Sequence, residues 1–168
     1  LLVKIRKGEP KSKIEEGLKR LQGLPPELLG NVDKAAVFES AAALAYREGD
    51  GKTTIANAKQ GLAVSPKNPR LLLLEGLGMI HAAEGEKAEE TKKAGLAKMK
   101  AAYDEVPEGT RYLHAYVDAQ IDNGFHDEAI KFIKGLEKKD GAKGDIAEDV
   151  FKTPLMQAKL GNAYRLKK

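Results

Sequence analysis

The 168 residues carry 29 Lys and Arg against 25 Asp and Glu, giving a net charge of +4 at pH 7, and their apolar share is 42% with only 5% aromatic. The absence of cysteine excludes a disulfide framework, a thiolate metal site and a cysteine nucleophile. Lys and Glu are interspersed, which reads as a solvated surface rather than a basic arm, and no apolar run reaches the roughly 18 residues of a membrane span. Ala and Leu supply much of the apolar share, a composition suited to close helix–helix packing in an all-α chain.

The chain opens on Leu1 rather than Met, as expected of a fragment or a processed chain. Leu1 to Lys7 reads as the end of a helix stopped by Gly8. Ser12 with Glu15 forms a capping-box pattern for a helix to about Gln22, whose inward stripe is Ile14, Leu18 and Leu21. Pro25-Pro26 breaks it, and Asp33 is the predicted N-cap of the next helix.

From Ala35 to Glu48 small residues dominate, and Ala41, Ala42, Ala43 and Ala45 would let a second helix come close. Gly49-Asp50-Gly51 reverses the chain into a return helix, about Lys52 to Val64, with Ile55, Ala58 and Leu62 as its predicted inner stripe. Pro66 cannot continue that helix, whereas Asn68-Pro69 is a cap followed by a pre-set first helical residue. Leu71 to Leu74, Leu77, Met79 and Ile80 then make the most apolar segment.

The stretch from Glu86 to Lys100 is charged, and Leu96, Met99 and Tyr103 give its continuation a buried edge. Thr110 is the predicted cap of a helix to about Asn123, and His126 to Lys138 forms another with Ala129, Ile130, Ile133 and Leu136 inside. Lys138 to Gly144 has loop composition, and Thr153-Pro154 opens a last helix to Lys168.

These segments fall into hairpins. Leu77-Gly78 is followed by His81 and Gly85; Asn123-Gly124-Phe125 leads to a small residue at Ala129; Leu160-Gly161-Asn162-Ala163-Tyr164 closes the series. In these motifs the chain resembles the tetratricopeptide repeat (TPR), a helix pair of about 34 residues that stacks into a superhelix. It departs from the pattern in having no Trp, in Ala58 replacing an aromatic, and in a second helix from Glu86 to Glu105 that is too long. The resemblance implies one all-α domain over residues 1–168, a right-handed solenoid of antiparallel hairpins. Its parts are a partial hairpin over 1–30, hairpins over about 33–66, 69–106 and 110–139, and a terminal helical region over 145–168.

Family members use the first helix of each pair to line a concave groove for protein partners. Carried onto this chain, the resemblance implies a partner-binding groove of Glu39, Tyr46, Arg47, Glu75, Met79, Arg111, His114, Asp118, Asn162 and Arg165. The implied function is a scaffold or adaptor for a peptide, helix or partner subunit, with self-association as a variant, no catalysis and no cofactor. The alternative is a small-ligand-binding accessory of a transport or cell-envelope assembly system. The carboxylate clamp of some family members needs a Lys/Asn/Arg constellation that Arg47, Arg111, Asn162 and Arg165 do not reproduce.

Other candidate chemistry is weaker. Gly49-Asp50-Gly51-Lys52-Thr53-Thr54 resembles a phosphate loop in part, but Tyr46 stands where that loop needs glycine, so a turn and helix start is the better reading. His114, Asp118 and Asp122 share a helix face by their spacing, as a cation or proton-transfer site would require. The simpler expectation is a polar face paired by Arg111 or an arginine of the adjacent repeat. His81 is expected in the core, in a slot for a packed aromatic. Adjacent acids such as Glu89-Glu90 point apart on a helix, and no series of stacking aromatics interleaves the lysines as nucleic-acid binding requires.

Overall fold

The computed structural model describes residues 16, 19–20, 23–24, 30–137 and 149–167, and among these every regular element is helical, with no strand. The capping box at Ser12 and Glu15 and the loop over 138–144 lie outside the described residues. The chain divides into two compact units, Leu1–Lys98 and Met99–Lys168.

In the first unit, α1 spans Asn31–Arg47, α2 Gly51–Val64 and α3 Pro69–His81; a 3-10 turn, Gly85–Lys87, leads into α4, Ala88–Glu105, within which the unit boundary falls. Helix α1 starts earlier than the predicted cap at Asp33: the extended backbone of Gly30 is the N-cap, and its carbonyl accepts from Lys34 N–H at 3.0 Å. Ala35, Ala41, Ala42 and Ala45 are all buried on α1, as a close neighbour requires. Gly49, at φ 78°, takes the left-handed turn conformation that glycine tolerates best. Asp50 then caps α2, its side chain accepting from the Thr53 amide at 2.9 Å and the Thr53 hydroxyl at 2.6 Å.

The inner face of α2 is rotated from the predicted one. Gly51, Thr54, Ala58 and Gly61 are buried, while Ile55 and Leu62 are half-buried at the flanks. The reason is steric. A Cβ added at Gly51 would lie 2.8 Å from the Gly78 carbonyl oxygen, and one at Gly78 would lie 2.9 Å from Thr54 Cγ2. Hydrophobic periodicity alone favours the larger side chains and overlooks a face built from the smallest ones. Asn68 caps α3 by accepting from the amides of Arg70 at 3.0 Å and Leu71 at 3.2 Å, with Pro69 in the first turn as predicted. Helix α2 packs on both α1 and α3, and α1 also touches α3. Gly95 brings α4 against α3, where an added Cβ would lie 2.7 Å from the Gly76 carbonyl oxygen.

The second unit contains the end of α4, then α5 (Thr110–Asp122), α6 (His126–Leu136), a helical stretch over 149–152 and α7 (Pro154–Leu166). Met99, Ala102 and Tyr103 are buried on α4, matching the expected apolar edge. Thr110 is the first residue of α5 and not its cap; that position belongs to Gly109, which accepts from the Tyr112 amide at 2.9 Å. The predicted inner set of α6, namely Ala129, Ile130, Ile133 and Leu136, is buried. The Phe132 ring stands edge-on to Tyr116 and Tyr103, with centroids 4.9 Å and 6.0 Å away. Thr153 caps α7 through Met156 N–H at 3.3 Å. Helix α6 packs against α5 and α7, and α5 touches α7. In the first unit α1 and α3, on either side of α2 in the chain, are in contact, an arrangement compatible with a helical repeat.

Candidate functional site

Within each unit an ion pair joins two helices that do not follow one another in the chain. In the first, Arg70 of α3 reaches Glu39 of α1 at 2.8 Å. One residue before the end of α1, Tyr46 is exposed and meets His81 of α3 edge-on, with ring centroids 6.5 Å apart. His81 is exposed rather than in the core, because it is the last residue of α3 and Gly49 of the turn lies against its ring. Arg47 is exposed beside Tyr46, and Met79 is half-buried.

Glu75 is 3% exposed. Lys98 Nζ stands 2.9 Å from its Oε2, yet out of line for a directed hydrogen bond, so the buried carboxylate has a matching charge but an unsatisfied oxygen. Removing one partner of such a pair leaves the other charge uncompensated.

In the second unit, Lys159 of α7 donates to Asp118 of α5 in a close ion pair; the lysine side chain is 13% exposed and the carboxylate half exposed. The expected arginine partner is thus replaced by a lysine, and the Arg111 guanidinium lies 5.6 Å from the centre of the neighbouring Tyr112 ring. His114, one turn before Asp118, is half-buried, and its Nδ1 is buried with no hydrogen-bond partner. Burial, and secondarily the Lys159 charge, push the His114 pKa below its usual 6.5, with Asp118 opposing them. Asp122 is exposed at the end of α5. On α7, Arg165 is exposed and donates to Asn162 Oδ1 at 2.8 Å.

The structure therefore brings Glu39 to Arg70, Glu75 to Lys98, and His114 and Asp118 to Lys159. Those three basic partners were absent from the sequence expectation. They stand 31, 23 and 41 residues from their acids, so no local pattern singles them out. Among the described residues no three His, Asp or Glu side chains converge as metal ligands, and no helix is long and apolar enough to cross a membrane.

The His114 environment fixes a pH response. A histidine with a depressed native pKa binds fewer protons folded than unfolded, so stability rises with pH. The loss sets in as pH falls past about 6.5 and is complete below the depressed native value. Urea midpoints measured across this range are expected to fall with pH in the wild type and to fall less in His114→Gln. Parallel slopes for the two proteins would show that His114 titrates as it does unfolded.

Scans against protein-family models, curated proteins and solved structures give no match to this chain.

Proposed function

We propose that the chain is a right-handed TPR-like solenoid segment that serves as a scaffold or adaptor, binding a peptide, a helix or a partner subunit without catalysing a reaction. The observation that carries this reading is the contact of α1 with α3 across the intervening α2, tied by the Glu39–Arg70 pair. Such a contact holds the first helices of two successive pairs side by side, and Tyr46 and Arg47 on α1, Arg111 on α5 and Arg165 on α7 are exposed. Tyr and Arg combine large contact area with directed donors, and they are enriched among residues that dominate interface energies.

The small-ligand alternative asks most of His114 and Asp118. Pairing of Asp118 with Lys159 occupies the carboxylate such a ligand would need, which places that reading second. The test is affinity capture from the native host, comparing wild type with Arg47→Glu, Arg111→Glu and the second-helix control Lys52→Glu. A genuine partner is expected to be lost with either first-helix reversal and kept with Lys52→Glu. Retention through both first-helix reversals would remove the assignment.

A further inference from the structure

The contact between α5 and α7 holds three side chains whose bonding needs cannot all be met in acid. Lys159 of α7 donates to Asp118 of α5, and the lysine side chain is only 13% exposed. His114, one turn before Asp118 on the same helix face, is half-buried, and its Nδ1 is buried without a hydrogen-bond partner. A neutral imidazole carries one N–H, so Nδ1 can stay a bare lone pair while Nε2 holds the proton. The imidazolium carries two, and the second would be a charged donor buried without an acceptor.

The surrounding groups give that donor no independent acceptor. Asp118 and Lys159 are the charges felt at the ring, and they act in opposite directions. Elsewhere on α5, Arg111 and Asp122 are exposed. Helix α6 packs against both helices, yet what it buries is Ala129, Ile130, Ile133 and Leu136. Its Asp127, Glu128, Lys131 and Lys134 are exposed, with Asp127 paired to Lys167, and His126 is half-buried at its start. In the helical stretch before α7, Asp149 and Lys152 are exposed. Among the described residues a protonated His114 therefore has two courses. Its Nδ1–H stays unpaired, or Asp118 turns to it and leaves the mostly buried Lys159 ammonium without its carboxylate. Either course weakens the contact.

We propose that the α5–α7 contact is an acid-sensitive latch, in which protonation of His114 competes with Lys159 for Asp118 and loosens α7. The neutral ring prevails at neutral pH, because burial and the Lys159 charge hold the His114 pKa below its usual 6.5. Met156 and Ala163 still anchor α7 in acid, so the response is a larger open population rather than full release. The latch confines the acid response to one helix and the ion pair that holds it, and it operates whatever the chain binds.

The test is hydrogen–deuterium exchange of the full chain at about pH 7.5 and about pH 5, corrected for the intrinsic pH dependence of exchange. Peptides covering α7 are expected to lose about tenfold more protection in acid than the same peptides of His114→Gln, the factor that corresponds to one buried donor left unpaired. Peptides of α1 to α3 should change alike in the two proteins. Asp118→Asn should loosen α7 already at the higher pH, since Lys159 then lacks its carboxylate. An NMR titration of the wild-type histidines needs no variant: α7 protection should fall with the midpoint of His114 and not with those of His81 or His126. Equal acid losses in wild type and His114→Gln, or a loss spread evenly over both units, would overturn the latch. So would α7 protection that rises in acid, since Asp118 would then bridge both bases.

Discussion

Replacing Gly95 by Ala is expected to destabilise the protein by about 1–3 kcal/mol, although Gly→Ala inside a helix ordinarily stabilises by about 0.5–1 kcal/mol. The reversal follows from what the added methyl would meet. At Gly95 it would lie 2.7 Å from the Gly76 carbonyl oxygen, 3.0 Å from Ile80 Cγ1 and 3.2 Å from Met79 Cβ. The nearest atom is backbone, so the clash is relieved only by moving α4 away from α3. That movement would also separate Lys98 from the buried Glu75. Gly161 and Gly135 supply the controls, since a Cβ added at either meets nothing within 4 Å. Gly161→Ala and Gly135→Ala should show the ordinary gain. Chemical denaturation of the three variants reads the result directly. A Gly95→Ala protein as stable as the controls would mean that α3 and α4 do not approach through their backbones.

The same contrast shows how far the sequence speaks. Caps with a chemical signature were legible: Asn68-Pro69 and Thr153-Pro154 start α3 and α7 as read, because a polar oxygen ahead of a fixed φ meets the free amides of a first turn. The buried set of α6 was legible too, since its large residues recur at helical spacing. Starts that use backbone glycine, at Gly30 and Gly109, were misread as side-chain caps at Asp33 and Thr110. The inner face of α2 was misread for a related reason, as Gly51 and Gly61 contribute by lacking a side chain and so add nothing to a hydrophobic stripe. At the candidate site, Tyr46 and Arg47 on α1 and Arg111 on α5 are exposed. Their long-range neighbours were not legible, since Arg70, Lys98 and Lys159 look like any other surface base until the helices are packed.

Gly61 and Leu71 are expected to behave as one unit of packing. Leu71 is fully buried, and Leu71→Ala should cost about 2–5 kcal/mol, the lost transfer energy plus the cavity left behind. Gly61→Ala alone should cost about 1–3 kcal/mol, because its methyl would lie 2.6 Å from Leu71 Cδ1 and 2.8 Å from Cδ2. Together the two changes should cost less than their sum. Leu71→Ala removes both methyls that obstruct the new Cβ, leaving Phe38 Cβ at 3.1 Å as the next neighbour, a contact that a small shift relieves. The Gly61 methyl then occupies part of the vacated volume, and the helix gains the propensity of Ala over Gly. In the Leu71→Ala background, Gly61→Ala is therefore expected to be neutral or stabilising, which makes the coupling favourable by about 1–3 kcal/mol. Urea denaturation of the wild type, both single variants and the double variant closes the cycle. Strict additivity would mean that α2 and α3 are not in contact at this point, and the small-residue face that brings α2 to α3 would lose its physical basis.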